Sequence, residues 1–155
     1  MPHDDTIDHL NHLASVNRDA EATLRTAAET VKNSELESLF LGYAKHHAKF
    51  IADLHGEIER LKGKPSDAGT RGPIERGWTD LKAALSGHSP AALLSSCESG
   101  ELSAEVAYTD AAKAHPSGQT HTLIEKHLQQ VIGFRTRLAR LVGETKEGLK
   151  FPKNE

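Results

Sequence analysis

Four long stretches of this chain carry apolar residues about every 3.6 positions, the spacing of one helix face, and each stretch is interrupted near its middle by a polar side chain on that same face. The first stripe holds Ile7, Leu10, Leu13, Ala14, Ala20, Leu24, Ala27, Ala28 and Val31. The second holds Leu36, Leu39, Phe40, Tyr43, Phe50, Ile51, Leu54, Ile58 and Leu61. Leu93, Leu94, Cys97, Ala104, Ala107, Tyr108 and Ala111 make the third, and Leu123, Ile124, Leu128, Val131, Leu138 and Leu141 the fourth. Amphipathic helices of this length cover their apolar faces by packing on one another, so the expected fold class is all-α.

The breaks between stripes set the topology. Asn33 is expected to end helix 1 in the left-handed conformation, with Ser34-Glu35-Leu36-Glu37 as a capping box opening helix 2. A connection that short makes the two helices antiparallel. Ser89 and Pro90 suit the cap and first position of helix 3, and Pro116-Ser117-Gly118 separates it from helix 4. Helix 4 is expected from about Thr120 to Val142, with Gly143 as its stop. Between helices 2 and 3 lie about 27 residues, far more than an antiparallel neighbour needs. They begin as a loop, Gly63 to Gly72, and continue as a short amphipathic helix with Pro73 in its first turn and Ile74, Trp78, Leu81 and Leu85 on one face. Short, long, short connections predict a ferritin-like antiparallel four-helix bundle with a long crossover carrying a short extra helix. One domain would cover residues 1–143, followed by a polar, flexible tail over 144–155.

Composition narrows the function. Apolar residues are 37% and aromatics 5% of the chain, so the core must be small aliphatic side chains along helices. A net charge of −3 gives no basic surface for nucleic acid. No stretch is apolar for the ~18 residues a membrane span needs. Met1-Pro2-His3-Asp4-Asp5 has neither a basic start nor an apolar run, and the single Cys97 has no partner for an internal disulfide, so a cytoplasmic location is expected. A phosphate loop, a dinucleotide fingerprint, a Gly-x-Ser-x-Gly elbow and His-Glu-x-x-His are all missing from the sequence, which leans against an enzyme.

The interruptions are where chemistry would sit. Asn17 breaks the first stripe, with Glu21 one turn on; His47 breaks the second. Glu101 breaks the third, with Glu98 one turn before, and His127 lies beside Leu128 in the fourth. At ~1.5 Å rise per residue, Asn17 and His47 stand about 24 and 21 Å from the helix 1–2 turn, and Glu101 about 18 Å and His127 about 10–15 Å from the starts of their own helices. All four can therefore meet near one level. Buried singly, such groups cost several kcal/mol, so they require partners. Two readings stay open: a hydrogen-bonded polar layer, or a site for Zn, Fe or Mn built from Glu21, His47, Glu98, Glu101 and His127. His9 and His12, spaced i, i+3, could share a surface metal, and Arg135, Arg137 and Arg140 read as a solvated face.

Asp19-Ala20-Glu21 ahead of Ala27-Ala28-Glu29, Leu36 to Phe40, Arg76-Gly77-Trp78-Thr79-Asp80-Leu81-Lys82 and Cys97-Glu98-Ser99-Gly100-Glu101 together resemble a family of uncharacterised bacterial ferritin-like four-helix-bundle proteins, across about Leu10 to Leu141. The resemblance implies distant kinship with rubrerythrin, bacterioferritin and other di-iron bundles. Those place Glu on two helices and Glu-x-x-His on the other two. Glu-x-x-His occurs nowhere here; by register its two places fall at His47 and Phe50 and at about His127 and Gln130, and the helix 1 carboxylate falls near Asn17. The expectation is a ferritin-like module of stress or storage association, non-catalytic with a degenerate di-metal site, self-associating as a homodimer. A mid-bundle metal protein and a protein-interaction module are the alternatives.

Overall fold

A computed structural model of the chain describes residues 2–66 and 89–146, and the side chains of residues 5–66 and 89–145. The expected crossover helix with Trp78, and the tail beyond residue 146, lie outside the described residues. Among the described residues there are four helices and no strand: α1 (Pro2–Thr30), α2 (Ser34–Arg60), α3 (Pro90–Ala114) and α4 (Gly118–Lys146). None is long and apolar enough to cross a membrane.

Helix ends follow from local chemistry. Asn33 is not left-handed as the sequence suggested. It is the N-cap of α2 in extended conformation (φ −126°, ψ 118°), and its side-chain oxygen accepts from the Leu36 N–H. Glu35 and Glu37 follow in the first turn, where carboxylates complement the helix dipole. At the other end of α2, Gly63 N–H reaches Ile58 O and Lys62 N–H reaches Glu59 O, both at 2.9 Å. That is the Schellman pattern, and Lys62 holds its left-handed position at φ 65°. Glycine is needed one place later: a Cβ on Gly63 would stand 2.5 Å from Cδ1 of Ile7. Ser89 caps α3 by accepting from Ala92 N–H at 3.3 Å, with Pro90 in the first position. α4 opens on Gly118 at φ 88°, two residues earlier than expected, and runs through Gly143 to Lys146. Gly143 fails as a stop because one glycine costs about 1 kcal/mol, while buried Leu141 and Val142 carry the helix past it.

The short connections make two hairpins, α1 with α2 and α3 with α4. The hairpins meet closely through α1 and α3, and less closely through α2 and α4. Aromatic side chains fill the wider seam: Tyr43 stacks on Phe134 at 4.3 Å between ring centroids, and Phe50 stacks on His127 at 4.2 Å. The core divides along the bundle axis. One cluster includes Leu10, Leu13, Phe50, Leu54, Ile58, Tyr108, Ile124, Val131 and Phe134. The other includes Leu24, Ala27, Leu36, Phe40, Leu93, Leu94, Cys97, Leu138 and Leu141. On α1, α2 and α3 the boundary falls at Asn17, His47 and Glu101, each at most 1% exposed.

Candidate functional site

Each polar interruption of the stripes meets the next. Asn17 sits on α1 one turn after Leu13, and its amide nitrogen donates to the Leu13 carbonyl at 2.9 Å. That carbonyl can only accept, so it fixes which way the carboxamide faces. The second amide hydrogen goes to the Tyr108 hydroxyl at 2.8 Å. The Asn17 oxygen then accepts from Nδ1–H of His47 at 2.7 Å. Because the Tyr108 oxygen accepts from Asn17, its own proton is directed to Nδ1 of His127 at 2.8 Å. His127 is therefore protonated on Nε2, which donates to Asp53 at 3.0 Å. At the other end of the chain of bonds, Nε2 of His47 and Oε2 of Glu101 lie 2.7 Å apart with one proton between them. A single backbone carbonyl thus sets the direction of bonds running from Glu101 through His47, Asn17, Tyr108 and His127 to Asp53, across all four helices.

Electrostatics agree with this pattern. Burial pushes the Tyr108 phenol far above its usual range, so it stays a hydroxyl. Burial also holds His127 below the ordinary imidazole range, and the neighbouring Asp53 offsets this only in part. Burial tends to raise Asp53, yet the hydrogen bonds from His127 and Lys49 outweigh it and hold the carboxyl below its ordinary range. The pair is a neutral imidazole donating to a carboxylate, not an ion pair. Lys49 bridges Asp53 from one turn earlier at 3.2 Å, at the edge of the solvent.

The sequence-expected site residues separate into three groups. His47 and Glu101 meet directly, and His127 joins them through Asn17 and Tyr108. Glu21 instead accepts from Arg25 at 2.9 Å within α1. Glu98 is half-buried one turn before Glu101 and takes no part in the network. Phe50 stands between the two imidazoles, stacked on His127 and edge-on to His47 at 5.5 Å. Among the described residues no three His, Cys, Asp or Glu side chains converge on a point that one ion could occupy. The residues do not fit the carboxylate-bridged pair of metals of di-iron bundles: bridging carboxylates are missing, and a phenyl ring lies between the histidines. Within the network one atom stands apart. Oε1 of Glu101 is buried and no described group meets it.

The sequence pattern does not mark Asp53 or the Tyr108 hydroxyl as members of this network. Asp53, 25% exposed, reads as half of a surface Lys49–Asp53 pair, and Tyr108 reads as one more apolar member of its stripe. The Cys97 thiol is buried and pushed up by burial and by Glu101 nearby, so it is no nucleophile. Arg135 is not simply solvated, since its Nε donates to Glu105 across α3 and α4. His9 pairs not with His12 but with His115.

The model of a family described as a domain of unknown function, DUF2383, matches residues 5–114. No curated protein matches the chain. Among solved structures, the chain is similar to a dodecameric thioferritin, the bacterioferritin-related protein of Bacteroides fragilis. The TM-score is 0.72 with 18% identity, covering 96% of this chain and 92% of that one. Similarity at that identity establishes the ferritin-like fold, which the four helices already display.

Proposed function

The chain belongs to the DUF2383 family, a domain of unknown function, and from that premise we propose that it acts as a non-catalytic ferritin-like module whose mid-bundle polar groups hold the helices in register in place of a metal centre. The observation that carries this reading is the engagement of every ring nitrogen of His47 and His127 by a protein partner, with Phe50 between the rings. A carboxamide lies in the middle of the chain of bonds, and Asn17 has no titratable proton to pass on, so the network is a fastening and not a relay. A role beside ferritin-type proteins in stress or storage belongs to the same proposal, on fold kinship alone. The test is addition of ferrous iron to untagged protein, followed by iron stoichiometry and Mössbauer spectra. Iron oxidation no faster than in buffer, without a bridged iron pair, is expected. Two irons per chain bridged by carboxylates would overturn the reading.

The bare Oε1 of Glu101 favours a second reading, a single Zn, Fe or Mn ion taken up beside Glu101 and His47, with Glu21, Glu98 or His127 drawn in. It requires His47 to give up its bond to Glu101. His47→Ala would then lower both the metal content of the untagged protein and its melting temperature; unchanged metal content removes this reading.

A further inference from the structure

One end of the bundle gathers the start of α1, the end of α2 and the turn between α3 and α4. Two imidazoles from distant parts of the chain meet there: Nδ1 of His9 and Nε2 of His115 are 2.7 Å apart, with the rings edge-on at 4.9 Å between centroids. His115 is fixed from both sides as the residue that ends α3. Its N–H donates to Ala111 O at 3.0 Å, and its carbonyl accepts from Nδ1–H of His121 at 2.7 Å. His9 is exposed on the surface of α1. The two facing nitrogens share one proton, since two neutral rings can bond this way and two charged rings would repel. Burial and the neighbouring His9 hold His115 below the ordinary imidazole range, and Asp5, one turn before His9, opposes this only in part.

Two imidazole nitrogens held beside each other at 2.7 Å supply the donor type that borderline divalent cations prefer. Metal–nitrogen bonds of ~2.0–2.1 Å at angles between a right angle and a tetrahedral one separate the two nitrogens by about 2.9–3.3 Å. From 2.7 Å the nitrogens part by about 0.2–0.6 Å, and each ring tilts by about 35–45° so that its lone pair turns from the other ring to the ion. We infer that His9 and His115 form a binding site for a divalent cation of the zinc class, independent of the mid-bundle network. Each ring ligates in its neutral form. The ring that now donates moves its proton to its far nitrogen, so both facing lone pairs are free for the ion. No third carboxylate, thiolate or imidazole among the described residues reaches the same point, so water completes the coordination. Asp5 contributes negative charge beside the ion. The bound cation ties the first turns of α1 to the α3–α4 turn. His12, one turn from His9, lies instead within electrostatic reach of Asp19 and takes no part.

The test is titration of the full-length, untagged protein with Zn2+ against a chromophoric chelator, repeated for His9→Ala, His115→Ala and His12→Ala. Far-UV circular dichroism checks that each variant keeps its helices. Binding weaker by about tenfold or more in each of the first two variants, and unchanged in His12→Ala, is the expected result. Cu2+ bound at the same site should show two nitrogen couplings in its electron paramagnetic resonance spectrum, and one in either variant. Wild-type affinity retained in His9→Ala and His115→Ala would overturn the inference. So would an equal loss in His12→Ala, or no saturable Zn2+ binding by the wild type.

Discussion

Tyr108 is where the central network is most exposed to a small change. Removing its hydroxyl leaves Nδ1 of His127 and one amide hydrogen of Asn17 unmet in a fully buried place, with no change in ring packing. Tyr108→Phe should therefore destabilise the protein by about 1–3 kcal/mol, measured by urea or thermal unfolding, although it deletes one oxygen. Stability unchanged within error would mean that the hydroxyl is not held as described. The pH dependence has a definite sign. His127 titrates below its ordinary 6.5 when folded, so between the folded and unfolded values the unfolded chain binds the extra proton. Its contribution is complete above the unfolded value and is lost as pH falls through the folded one. Asp53, also lowered from 3.8, acts in the same direction at more acid pH. The melting temperature should fall as pH drops below neutrality, and the step nearest the imidazole range should shrink in His127→Gln. Four of the six side chains of this network are legible in the sequence. His47, Glu101, Asn17 and His127 announce themselves as polar breaks in apolar stripes, whereas Asp53 lies at the edge of its helix face, where polar residues are ordinary. Tyr108 hid its polar end behind an apolar ring.

At the level of elements, the end of α2 shows how two residues divide one task. Lys62 bears the left-handed conformation that glycine usually takes, while Gly63 is committed to the close approach of Ile7 from α1. Lys62→Gly should raise stability by about 0.5–1 kcal/mol, since a side chain is strained at positive φ and the freer unfolded chain opposes only part of the gain. Gly63→Ala should cost about 1–3 kcal/mol by pressing on the Ile7 side chain. Equal effects from the two substitutions in thermal unfolding would contradict this division. Asn33→Ala tests the other end of α2 and should cost about 1 kcal/mol. The helices are legible from their apolar period and the start of α3 from Ser89 and Pro90, but several other ends are not. α1 begins at Pro2, before any apolar residue signals it, and the capping role fell to Asn33 because its side chain reaches the Leu36 N–H while its own backbone stays extended. Gly143 does not end α4, because glycine is a weak stop when the residues before it are buried.

For the whole molecule, the Asn17–His47–Glu101 layer between two apolar clusters means that sliding one helix by a turn would bury a carboxylate among leucines. On the proposed reading, the layer specifies one alignment of the helices at some cost in stability. The outer surface carries the remaining signal. Leu102 and Val106, one turn apart on α3, are exposed at 48% and 54%, the large hydrophobic side chains left outside among the described residues. They flank Ser99 and Ser103, whose small side chains allow a close approach. A second copy of this chain seated on that ridge would bury both side chains, and substitution tests for such a contact. The combined substitution Leu102→Glu and Val106→Glu places like charges at the centre of such a contact. Light scattering coupled to size exclusion should then show a shift from dimer or larger assembly to monomer, with helicity and melting behaviour of the monomer kept. A wild type that is monomeric at all concentrations, or a doubly substituted chain that assembles as the wild type does, places the contact elsewhere or removes it.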